Sequence, residues 1–176
     1  MRRICRQISG PGSAIPLGIF GAVIVSQLRF LGVRAAGIYI ALFGGLAAAF
    51  DSSVSAFTFW VLARPGIAQD ATLVRALHYF AIALGGVGYA VPIGLLMAGV
   101  SVTAGFTRLL PKWIVALGLF LAGAGELSWL TMVTTKLAFL VPVTRFPGFL
   151  WMIAAGFALP RVLRKTPQSE VVSATA

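Results

Sequence analysis

The chain has 176 residues, 59% of them hydrophobic and only 10% charged, whereas soluble domains run at about 45–50% and about 25%. A soluble fold of this size cannot cover so much apolar surface, so lipid must solvate much of the chain. The net charge of +10 comes from 14 basic and 4 acidic residues; the bases punctuate apolar runs instead of forming one face, which suits loops near anionic lipid and argues against a nucleic-acid partner.

The chain opens on a basic stretch with Arg2, Arg3 and Arg6 around Cys5. A single cysteine excludes an internal disulfide framework, and a single histidine, His78, excludes a multi-histidine metal site. The opening has the outline of a secretory signal, but no cleavage site follows Val25, so retention is expected. The first apolar segment, residues 8–27, is diluted by Ser9, Gly10, Pro11, Gly12, Ser13 and Pro16, which leaves fewer good residues than the roughly 20 a crossing needs. Residues 1–34 therefore read as a basic N-terminus with a half-span or a first span.

The second segment, 35–63, carries only Asp51 as a charge and ends on Trp60, with Arg64 and Pro65 beyond, an interfacial aromatic followed by a loop signal. In the third, no charge occurs between Arg75 and Arg108. Asp70 is placed to cap its helix, the span is drawn at 76–104, and Pro92 predicts a kink. The fourth, 113–135, starts after Pro111 and Lys112 with Trp113 at the interface and contains Glu126. Pro142, Arg145 and Pro147 interrupt the last run, which predicts an interfacial or re-entrant segment near 137–146 feeding a short span at 146–162. Residues 164–176 form a polar tail.

The pattern predicts an all-α integral membrane helix bundle of four to five transmembrane helices, residues 35–163 forming its body. With five spans, loop lysines and arginines divide seven against seven, which sets no orientation; if residues 8–27 do not cross, they divide ten against four. The positive-inside rule then favours four crossings with both termini cytoplasmic.

Two carboxylates inside apolar segments are the main functional lead, because a charged group at the bilayer centre costs roughly 2.5–3.5 kcal/mol on insertion scales. Asp51 shares its helix face with Ala47, Ala48, Ser55 and Thr58, and Glu126 shares its own with Ala122, Gly123, Trp129 and Leu130. One reading places both in a polar cavity as proton or cation sites, with His78 extending the path. The other makes each a structural group paired with Arg145, Arg108 or Lys136. Along the second segment, Gly37, Ala41, Gly45, Ala49 and Ser53 recur every fourth residue, forming a ridge of small side chains suited to close helix approach, either in a homo-oligomer or within the bundle.

Catalytic signatures fail: no G-x-S-x-G turn is present, and Asp51 with Glu126 makes an unusual substitute for an aspartyl dyad. The glycines at 85, 86 and 88 and at 123 and 125 follow no strand and read as helix-packing sites. No catalytic residue, metal ligand or cofactor site is expected. Three stretches, RALHYFAIALGGVGYAVPIGLL, LLPKWIVALGLFLAGAGELS and RFPGFLWMIAAGFALPR, resemble bacterial polytopic membrane proteins of the domain-of-unknown-function type over residues 75–161. The resemblance implies a location in the bacterial cytoplasmic membrane and no established activity. The expected function is a non-enzymatic accessory or structural subunit, packing against itself or a larger membrane complex. The alternative is a small oligomeric proton- or cation-linked transporter or channel using Asp51 and Glu126.

Overall fold

The structure, a computed structural model, describes residues 14–160. The basic stretch around Cys5 and the polar tail at 164–176 lie outside the described residues. Five helices follow one another: α1 (Ala14–Phe30), α2 (Gly37–Leu62), α3 (Ala71–Phe106), α4 (Lys112–Leu127) and α5 (Leu140–Ala158). No strand occurs among the described residues. Four segments, Gly37–Leu62, Ala71–Phe106, Lys112–Met132 and Leu140–Ala158, are long and apolar enough to cross a membrane.

Local chemistry sets the helix ends. Pro16 is the third residue of α1, inside the first turn, where a backbone N–H has no intrahelical acceptor to lose. At the other end Gly32 takes φ 84°, and the Val33 N–H donates to the Leu28 carbonyl at 3.1 Å, a left-handed stop that a residue with a Cβ adopts only at a cost. Asp70 caps α3 as expected, its Oδ1 accepting from the Thr72 and Leu73 N–H groups at 2.9 and 3.1 Å. The last helix begins earlier than the sequence suggests. Residues 140–146, expected as an interfacial or re-entrant element, are the first two turns of α5. Pro142 falls in the first turn, where it is tolerated, and Pro147 lies within a helix that continues past it.

The helices pack in chain order around α3, whose second half is the most buried part of the molecule. Ile93, Leu96, Met97 and Val100 are excluded from solvent, with α2 on one side of α3 and α4 and α5 on the other. Fully buried Trp151 of α5 ties its helix to α4 by donating from Nε1 to the Ile114 carbonyl at 2.8 Å. It lies over Gly118, where any Cβ would collide with Ser101 Oγ and stand 2.6 Å from the indole nitrogen. Helix α1 runs antiparallel along α2, Gly18 facing Ala49 and Gly21 facing Gly45. It lies alongside α5 in the same direction: Phe20 meets Gly156, and Gln27 Nε2 donates to the Pro160 carbonyl at 3.2 Å. At 17 residues α1 is about 25 Å long, slightly under the hydrocarbon thickness of about 30 Å.

Candidate functional site

The small-residue ridge of α2 is used inside the chain. Gly37 and Ala41 face Gly99 of α3, Gly45 faces Gly21 of α1, and Ala49 faces Gly18. The ridge therefore serves two helices in turn. Ser53 donates back to the Ala49 carbonyl of its own helix at 2.8 Å, as hydroxyl side chains do where lipid offers no other acceptor. A second close approach went unread in the sequence. Gly44, one residue off the ridge, faces the Pro92 carbonyl and lies so near that a Cβ there would overlap it.

Two charged groups, Asp51 and Arg145, meet an irregular turn in α3. Between regular helix at Ala71–Ala83 and at Tyr89–Phe106, residues Leu84–Gly88 form a π-helical turn. Pro92 lacks the N–H that would bond the Gly88 carbonyl four residues earlier, and its ring crowds that carbonyl. A wider turn just upstream relieves the crowding, and Gly85, Gly86 and Gly88 let the backbone take it. Such turns concentrate at functional positions.

Both sides of this turn are met by polar side chains. From α2, the Asp51 carboxylate rests against Gly88, where an added Cβ would stand 3.5 Å from Oδ2. One turn further, Ser55 donates to the Ala81 carbonyl at 2.7 Å and leaves room only for hydrogen at Gly85. From α5, the Arg145 guanidinium donates to the Gly85 carbonyl at 3.1 Å and lies 4.8 Å from the centroid of the Tyr89 ring. A charge-assisted hydrogen bond and a cation–π contact together hold a cation that would otherwise be costly in the span. Arg145 thus meets a carbonyl and an aromatic face where the sequence suggested a carboxylate. The Tyr89 hydroxyl is buried without a hydrogen-bond partner among the described residues.

Glu126 and His78 lie away from this cluster. Glu126 is in the last turn of α4 on the exposed side of the bundle, roughly 21 Å along the helix from Lys112. Its neighbours Phe120, Leu127 and Leu130 are exposed too, and a Cβ on Gly123 would meet nothing within 4 Å. Asp51 touches α3 from the α2 side, while Gly94 of α3 packs on Ala122 and Gly125 of α4, so the two carboxylates lie on opposite sides of α3. His78 is exposed and meets Phe59 edge-on, ring centroids 6.1 Å apart; ten residues of helix, about 15 Å, separate it from Gly88.

An apolar groove is also present. It lies between α1 and α5, has a volume of about 490 Å³ and is walled by Leu17, Phe20, Phe149, Ile153 and Phe157. Among the described residues no three His, Cys, Asp or Glu side chains come together to hold a metal ion. The chain matches no family model, no curated protein and no solved structure.

Proposed function

We propose that the protein is a non-enzymatic subunit of a membrane assembly, and that the outer face of α4 is where it meets its partner. The observation that carries this reading is Glu126, a carboxylate within the Lys112–Met132 span that a single chain leaves exposed among apolar side chains. At the bilayer centre such a group costs roughly 2.5–3.5 kcal/mol, and facing acyl chains nearer a helix end it still costs part of that. A partner helix offering a hydroxyl or basic group removes that cost, and the absence of a side chain at Gly123, one turn away, lets the helix come close. The in-span hydroxyls of Ser53, Ser55, Thr58 and Thr144 donate to main-chain carbonyls, as structural hydroxyls in a bundle do, whereas those of Tyr89 and Ser101 have no partner among the described residues.

The course of α1 beside α2 and α5 favours counting it as a fifth crossing. This reading stands beside the four-crossing topology, which the loop charges favour and which matches the four segments long enough to cross. A second reading, a proton- or cation-linked transporter, draws on Asp51 and Arg145 meeting one π-turn within the span. Solubilisation of native membranes in mild detergent separates the two. The subunit reading expects a stoichiometric complex larger than the 18.5 kDa chain; a solitary monomer whose proteoliposomes carry a flux abolished by Asp51→Asn supports the transporter and overturns it.

A further inference from the structure

Helix α3 is unequally supported along its length. Its second half is the centre of the bundle, but of the residues Ala71–Ala83 only Ala81 is buried. That first part packs on α2 and on the π-turn beside it. The cause is where the neighbouring helices stop. Gly125, two residues from the end of α4, lies against Ala90 and Gly94, and Thr144 in the opening turns of α5 lies beside Gly125. The Ser128–Met132 turn after α4 packs on Leu84–Gly88. Residues 54–83 therefore stand out from the five-helix body as a two-helix arm. The 13 residues of Ala71–Ala83 make it about 20 Å long.

The arm is held together from within. Ser55 donates to the Ala81 carbonyl at 2.7 Å, Phe59 meets His78 edge to face, and Asp70 caps the returning helix. Both of its helices are softest where they join the body. In α3 the joint is the π-turn with Gly85, Gly86 and Gly88, and π-turns and glycines are where helices bend. In α2 the same level carries Asp51, which rests against Gly88, followed by Ser52 and Ser53. The Ser53 hydroxyl donates back to the Ala49 carbonyl at 2.8 Å, a contact that bends helices.

We propose that residues 54–83 swing as one unit about a hinge at Leu84–Gly88, and that Arg145 latches this arm to the body. Carried by α5, the guanidinium donates to the Gly85 carbonyl within the turn and lies over the Tyr89 ring just below it. It thereby pins the joint to a helix that does not belong to the arm. The turn itself has room to move, since a Cβ on Gly86 would meet nothing within 4 Å. Leu73 lies 12 residues before Gly85, about 18 Å along the helix. A swing of about 20°, the size of a sharp helix kink, carries it through about 6 Å. The hinge goes beyond the subunit reading and uses nothing on the outer face of α4.

The test uses the whole chain with Cys5→Ser, spin-labelled in pairs in lipid nanodiscs, with distances read by pulsed electron paramagnetic resonance. Leu73→Cys with Leu150→Cys reports the arm against the body, and Phe120→Cys with Ile19→Cys reports the body alone; all four positions are exposed. The arm pair should give one narrow distribution in the otherwise unsubstituted chain. In Arg145→Gln it should gain a second population displaced by about 5 Å or more, while the body pair stays as it was. Adding Gly86→Ala to the Arg145→Gln chain should shrink that population, because alanine restricts the backbone that glycine leaves free. An arm pair unchanged by Arg145→Gln overturns the proposal. So does broadening of both pairs, which would mean packing lost throughout. A second population that Gly86→Ala leaves untouched places the motion outside the turn and overturns the hinge.

Discussion

Substitution of Gly99 by alanine tests the helix packing where it is tightest. A Cβ at Gly99 would overlap the Gly37 carbonyl oxygen and stand 2.8 Å from the Ala41 nitrogen and 2.9 Å from the Ala41 Cβ, where ordinary contact begins near 3.4 Å. The shortfall at the nitrogen is about 0.6 Å, and all three obstacles are backbone or Cβ atoms that no rotamer change can move. Helix α2 must therefore back away along its seam with α3, and a gap of about 0.5–1 Å forfeits a quarter to a half of the dispersion energy across it. Overpacking of this kind costs about 1–3 kcal/mol. The better helix propensity of alanine returns about 1 kcal/mol in either variant, so the net loss at Gly99 should be up to about 2 kcal/mol, and Gly99→Ala should lie about 1–3 kcal/mol below a control that gains the same propensity without the clash. Equilibrium unfolding of the monomer in mixed micelles, followed by circular dichroism, measures it. Gly123→Ala is the control, since a Cβ there meets nothing within 4 Å, and it should be neutral or slightly stabilising. Equal stability of the two variants would refute the packing argument.

Two further substitutions probe the cap and the π-turn. Asp70→Ala removes the acceptor for the Thr72 and Leu73 N–H groups and should cost about 0.5–2 kcal/mol; Asp70→Asn should recover most of this in the same unfolding assay, and equal loss in both variants would show that the cap is not the cause. Arg145→Gln removes the guanidinium from the Gly85 carbonyl and the Tyr89 ring. With a charge-assisted bond worth about 1.5–3 kcal/mol, amides at 85–91 should exchange with deuterium at least about tenfold faster while those of α4 keep their rates; uniform acceleration would mean global destabilisation, and no change would mean that Arg145 does not hold the turn.

The second, third and fourth helices were legible because their apolar runs are interrupted so rarely by charge, and Asp70 was legible because a cap needs only its own few residues. The first and last helices were harder to read. Prolines that dilute a hydropathy window, Pro16 and Pro142, do no harm in a first turn, so α1 forms despite Pro16, and the start of α5 was placed too late. The ridge from Gly37 to Ser53 was visible as spacing, but spacing cannot name the partner: Gly45 meets α1 and Gly37 meets α3. The glycines at 85 and 88 are packing positions as their composition suggests, meeting Ser55 and Asp51, but the π-helical turn they belong to has no signal in hydropathy or spacing. Nothing local announced that Arg145, sixty residues further on, would donate to Gly85, or that Asp51 and Glu126 would lie on opposite sides of α3. Those facts belong to the tertiary arrangement.

Glu126→Leu, compared with the unsubstituted chain, tests the proposed assembly most directly. Leucine is at home in lipid and cannot hydrogen-bond, so the substitution gives opposite results for the two environments. If a partner helix covers Glu126, the complex recovered from native membranes in mild detergent should fall apart, its partner lost at least about tenfold, while the unfolding stability of the isolated chain holds or rises. If the complex persists unchanged with leucine in place, Glu126 is not part of the contact, and the account of α4 as the associating face is contradicted.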